Sequence, residues 1–219
     1  MPAPRQSPRL LWVEGKDDDA VTQSLCKVHD IPQVFKVHPK NGVDELLETF
    51  FTGLRAPGME RFGVVVDANG SAQARWESIR GTLEAEGYAD VPKQLVSHGM
   101  IVPGTPHRPL FGAWIMPDNA ASGAIEDFAA KLVPDGDALW SHATSAIDRI
   151  PEAHVRFPAV RRAKAQIHTW LAWQESPGSP MGQAITKGDL DARAPLAEAF
   201  VGWLRRLMVS DVAEIESTP

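Results

Sequence analysis

Three short apolar runs constrain this chain most: residues 10–13 (LLWV), 62–66 (FGVVV) and 112–116 (GAWIM). A strand with one wet face alternates apolar and polar residues, and these runs do not. Both faces of such strands must be covered, as in a parallel sheet with helices on each side. Each run is followed closely by an acid: Glu14, Asp67 and Asp118. Between the runs the pattern changes to helical spacing, with Val21, Leu25 and Val28 on one stripe after the first strand. The segments QVFKVHP and KQLVSHGMIVPG add strand candidates, and residues 42–54 and 72–87 read as helices. From about residue 124 onwards only helices are expected, in GAIEDFAAKLV, GDALWSHATSAIDRI, AVRRAKAQIHTWLAWQ and LAEAFVGWLRRLM. ESPGSPMGQAIT reads as a Pro/Gly turn, a candidate loop over the site. The expectation is an α/β fold: a mostly parallel sheet flanked by helices over residues 8–135, with a helical part over 136–210 packed on it.

The 219 residues suit one large domain or a domain with an appendage. Cys26 is the single cysteine, so no intramolecular disulfide can form and a cytoplasmic location is expected. No window approaches the roughly 18 apolar residues of a membrane span, and residues 1–10 lack the apolar core of a signal peptide. The net charge is −6. That argues against a simple electrostatic nucleic-acid binder, although bound divalent cations would reverse the sign locally. Positive charge gathers in residues 156–164 (RFPAVRRAK), with four basic residues and no acid. No Cys/His spacing suits zinc. Trp170, Trp173 and Trp203 read as core residues rather than base-stacking platforms.

Acids after three strands can converge although about 50 residues separate them in sequence, because strand ends of an open parallel sheet lie along one edge where ligands bind. Unpaired, they would repel. A hard cation with oxygen ligands, Mg²⁺ or Mn²⁺, would relieve this. Blander readings stand beside it. Asp17, Asp18 and Asp19 suit a helix start. DANG and PDN suit Asx turns, and Ser122 can cap the helix that contains Glu126.

The ordered motifs VEGKDD, VVVDANG, WIMPDN and GAIEDF resemble the Toprim domain, and in particular small standalone Toprim-like proteins related to the OLD-type nucleases. The resemblance extends into KAQIHTWLAWQ and PMGQAIT, covering about residues 9 to 207. It implies a Toprim-like sheet and a metal-dependent nuclease, with defence against phage as the implied role. It makes Glu14 the strand-one glutamate, Asp67 the first acid of an Asp-x-Asp pair, and Asp18, Asp118 and Glu126 further metal ligands. Asn69 stands where the second acid of the pair would be and offers one neutral oxygen instead. Glu14 and Lys164 are the implied catalytic residues; Arg161, Arg162 and Lys164 are candidates for contacting nucleic acid, or for a solvated basic helix face. No Walker-type glycine loop occurs, so any ATPase or sensor is expected to be a separate partner. A homo-oligomer is compatible with the sequence and no membrane partner is expected. Two other functions remain open: a non-catalytic metal- or partner-binding module, and a hydrolase or phosphotransfer enzyme acting on a small phosphate ester.

Overall fold

The computed structural model describes residues 8–210; the expectation made for a signal peptide falls mostly on residues outside that range. Five strands form one sheet in the order β2-β1-β3-β5-β4. They are β1 (Arg9–Val13), β2 (Lys36–Pro39), β3 (Arg61–Asp67), β4 (Met100–Val102) and β5 (Leu110–Met116). The pairs β1–β2, β1–β3 and β3–β5 are parallel, and β4 runs antiparallel to β5 at the edge. The expected mostly parallel α/β architecture is therefore present. Eight α-helices accompany it among the described residues: α1 (Lys16–Val28), α2 (Val43–Leu54), α3 (Ala72–Ala85), α4 (Ile125–Ala130), α5 (Ala138–Asp148), α6 (Arg162–Leu171), α7 (Met181–Lys187) and α8 (Pro195–Met208).

The apolar runs are continuous because both of their faces are buried. Leu11, Val13, Val65, Trp114 and Met116 point to one face, where they pack with residues of α1, α4 and α6–α8. Leu10, Trp12, Phe62, Val64, Val66 and Ile115 point to the other, against α2 and α3. The C-terminal helices thus share a single core with the sheet. Phe200, Trp203, Leu204 and Leu207 of α8 have no exposed surface, and each such burial is worth about 1.5–3 kcal/mol. Two facing glycines let α8 lie this close. Gly63 pairs with Gly112 across β3 and β5, and a Cβ on Gly112 would stand 2.5 Å from Leu207 Cδ2.

Three local expectations change. Of residues 93–104 only Met100–Val102 pairs as a strand. Residues 181–187 form a helix rather than a loop over the site. Its Gly182 packs on the α1 backbone, where a Cβ would stand 2.7 Å from the Ala20 carbonyl oxygen. Trp170 and Trp203 are core residues, but Trp173 is 44% exposed. No helix among the described residues is long and apolar enough to cross a membrane.

Candidate functional site

The chain leaves β1 towards β2 on one side, while β3 and β5 lie on the other. That reversal of direction between β1 and β3 opens a crevice at their carboxyl ends, the usual ligand position in such sheets. Glu14 follows β1 there, and Asp67 ends β3. Glu14 Oε2 accepts a hydrogen bond from the Asp67 amide at 3.0 Å, tying the two strand ends together.

Two more carboxylates complete the crevice. Asp18 lies in the first turn of α1, and its Oδ2 accepts from the Gly15 amide at 3.1 Å. The helix-start reading of Asp18 is thus correct for one oxygen. The other, Oδ1, is buried without a hydrogen-bond partner, and the residue is only 4% exposed. Glu126 stands in the first turn of α4, 8% exposed, and accepts from Lys164 Nζ of α6 at 2.5 Å. Asp67 Oδ1 accepts from the Ile125 amide at 3.1 Å, which fixes α4 against β3. All four carboxylates and Lys164 line one open cleft of about 310 Å³, with Lys16, Asp17 and Lys40 also on its walls.

The electrostatics are those of a crowded, half-dry acidic cluster. Burial, followed by repulsion from Asp18, Glu14 and Glu126, pushes the Asp67 carboxyl up to about 8. Burial and then Glu14 push Asp18 up to about 7. Burial also raises Glu14, with Asp44 and Glu126 adding to the rise, while the Asp67 amide and the Arg75 guanidinium offset part of it. These carboxylates feel one another. Yet among the described residues no three Asp, Glu, His or Cys side chains are drawn together as a preformed metal cage.

The remaining sequence-derived candidates lie elsewhere. Asp118 does not join the cleft. Its Oδ1 accepts from the amides of Ala120 and Ala121 at 3.1 and 2.8 Å, and its Oδ2 meets the Lys131 ammonium. Partial burial would raise it, but Lys131 and those amides outweigh this and hold it below the usual carboxylate range. Asn69 is exposed in the turn after β3, at φ +51°, a left-handed conformation that asparagine tolerates well. Its backbone pairs with Gly123, with N–O distances of 2.8 and 3.0 Å. Arg162 is paired with Asp148 on the surface. The Arg161 guanidinium makes no ion pair among the described residues and lies close enough to Lys164 to oppose its charge. Ser122 is exposed; the α4 start is instead closed by Asp127, whose Oδ2 accepts from the Ala124 amide at 2.9 Å.

Arg75 is the functional neighbour that sequence reasoning missed. Its Nε donates to the Asp67 carbonyl at 3.1 Å, bracing the end of β3 from α3. The available signal was its position four residues after Ser71, the residue that caps α3. A cation so near a helix N-terminus opposes the helix dipole and so asks for a reason.

A family model described as a protein of unknown function (DUF3226) matches residues 8–209. No curated protein and no solved structure matches the chain.

Proposed function

Because the chain belongs to the DUF3226 family, a family of unknown function, we propose its activity from the cleft itself: it holds a divalent cation, Mg²⁺ or Mn²⁺, and cleaves phosphodiester bonds of nucleic acid. The observation that carries this reading is the convergence of Glu14, Asp18, Asp67 and Glu126 in one cleft, with Asp18 Oδ1 buried and unpartnered. Hard oxygen donors, mutual repulsion and an unanswered buried oxygen fit a hard cation better than any neutral ligand. The resemblance to Toprim-like, OLD-related nucleases agrees with this at Glu14, Asp18, Asp67 and Glu126. It finds no support at Asp118 and Asn69, which the chain uses in turns. A cytoplasmic location goes with the reading, since the one cysteine is a buried free thiol.

Glu14, Asp67, Asp18 and Glu126 would hold the ion, which would supply Lewis-acid polarisation of the phosphate and an activated water. The chain's own groups do the rest. Glu14 is fixed by the Asp67 amide, so its carboxylate faces the crevice in one orientation. Arg75 keeps the end of β3 in place by holding the Asp67 carbonyl. Lys164, with Arg161 beside it, forms the basic lip over which a phosphate backbone would enter.

The test is cleavage of single- and double-stranded DNA and RNA with Mn²⁺ or Mg²⁺. Glu14→Gln should lower the rate by more than about 100-fold, since even outer residues of metal sites cost 10–100-fold, while circular dichroism stays unchanged. Cleavage that persists in purified Glu14→Gln would refute the assignment. A second reading, hydrolysis of a small phosphate ester, is favoured by the cleft's modest 310 Å³ and by the net charge of −6. Turnover of bis(p-nitrophenyl) phosphate with no cleavage of any polymer would select it.

A further inference from the structure

The four cleft carboxylates are not equivalent. Glu126 already has a cation: Lys164 Nζ at 2.5 Å from its Oε1. Asp18 has an oxygen with nothing on it. The ammonium comes from α6 and the carboxylate from α4, so the pair joins two separate elements. Glu126 has no alternative, because its side chain is only 10% exposed. Lys164 does, because its side chain is 47% exposed and sits on a flexible four-carbon stem.

From this asymmetry we infer that Lys164 is a resident counter-cation, which holds Glu126 in the metal-free protein and exchanges places with the divalent ion. This rests on the metal reading above and adds to it an order of events. An ammonium on Oε1 and a divalent ion on the same buried carboxylate repel each other. Metal entry therefore favours displacement of Lys164, and the bound ammonium weakens metal binding. The displaced ammonium has few places to go. Asp17, on the cleft wall, attracts it, and Arg161 repels it. A substrate phosphate at that rim would take it up. Anything that draws Lys164 away from Glu126 favours the metal, and by reciprocity the metal favours the anion. The cleft then binds metal and phosphate cooperatively and stays guarded against free metal alone. Lys164 acts here through Glu126 and is a positioning residue for the metal.

The experiment is a Mn²⁺ titration of the full chain, reading free Mn²⁺ by electron paramagnetic resonance against protein-free buffer. The wild type is compared with Lys164→Met, Lys164→Gln, Lys164→Arg and Glu126→Gln, and with Lys164→Met combined with Glu126→Gln. Lys164→Met should bind Mn²⁺ about tenfold more tightly, a modest effect for removing one adjacent like charge. Lys164→Gln repeats that measurement should the methionine variant fold poorly. Lys164→Arg keeps the charge and should return to wild-type affinity, which a merely structural lysine would not predict. In the Glu126→Gln background the gain from Lys164→Met should disappear. Inorganic phosphate should tighten Mn²⁺ binding in the wild type and not in Lys164→Met. If the wild type binds Mn²⁺ and neither neutral variant binds it more tightly, the exchange is overturned and the metal site stands. Equal tightening by phosphate in wild type and Lys164→Met would overturn the coupling. If no protein in the set binds Mn²⁺, the inference and the metal reading fall together.

Discussion

The two ends of the sheet treat buried charge in opposite ways. At the amino edge, acids and bases are matched. Glu86, its side chain 7% exposed, receives Arg55 Nε and Nη2 at 2.7 and 2.6 Å and Arg108 Nη2 at 3.1 Å. Arg61, 5% exposed, closes the end of α8 by donating to the carbonyls of Leu207 and Ser210 at 2.7 and 2.5 Å. At the carboxyl edge Glu14, Asp18, Asp67 and Glu126 converge on one cleft with the exposed Asp17 on its wall, and among the described residues the ammonium hydrogen-bonded to them, that of Lys164, serves Glu126. Asp67 is pushed up to about 8, whereas the hydrogen bonds from Arg55, set against partial burial, hold Glu86 below its usual range. One edge spends its charges on holding the fold. The other accepts a cost in stability, as sites prepared for a ligand do.

This contrast gives the edges opposite dependences on pH. Asp67 and Asp18 keep their protons in the folded protein up to about 8 and about 7, whereas the unfolded chain loses them near 4. Between those limits the folded state binds more protons, so stability falls as pH rises, and the loss is complete above about pH 8. Asp67→Asn removes the Asp67 part of that slope and leaves the part due to Asp18. We expect it to be more stable than wild type by about 3 kcal/mol at pH 9, from roughly 1.4 kcal/mol per unit shared among coupled acids, and by almost nothing at pH 4. Urea unfolding at the two pH values measures this. Millimolar Mn²⁺ should flatten the wild-type slope and leave Asp67→Asn little changed. A wild type equally stable at pH 5 and pH 9 without metal would contradict the crowded-acid description.

Glu86 should behave in reverse. Its pKa is depressed, so its contribution is present above the unfolded value near 4.3 and is lost as pH falls through the folded value. Glu86→Gln should cost about 1 kcal/mol at pH 7, a small figure because Arg55 remains solvent-screened, and less as pH falls. Metal binding and any cleavage should be untouched. A change in Mn²⁺ affinity in this variant would show that the two edges are coupled through α3 and would break the comparison.

Much of this was readable from the chain because the failure of polar alternation in three runs permits only a sheet covered on both faces. The acids at the ends of β1 and β3 were readable for the same reason: adjacent parallel strands bring their ends together whatever the sequence distance. Asp118 follows an equally apolar strand, but β5 is one strand further from β1, and the turn after it consumes the carboxylate on amides and on Lys131. Glu126, eight residues later, reaches the cleft instead because Asp67 anchors the start of α4. Helix α7 escaped notice since seven residues with a glycine carry too little periodicity. Its helical form comes from packing on α1, which no local pattern encodes.

The smallest expected effect separates resemblance from geometry. By resemblance Asn69 is a metal ligand that has lost its charge, and Asn69→Asp should then tighten Mn²⁺ binding. In the structure Asn69 is an exposed turn residue at φ +51°, and its backbone, not its side chain, makes the contact with Gly123. Aspartate also tolerates that conformation, though somewhat less well, so the substitution should cost no more than about 0.5 kcal/mol. The added charge is separated from the cluster by the turn and is screened by solvent, so Mn²⁺ affinity should stay within about twofold of wild type. Asn69→Gly, which keeps the backbone and removes the side chain altogether, should match it. A tenfold gain in Asn69→Asp, absent in Asn69→Gly, would mean that the turn after β3 swings its side chain into the cleft when metal arrives. The carboxyl edge would then be a site completed by its ligand rather than one whose four acids are already in place.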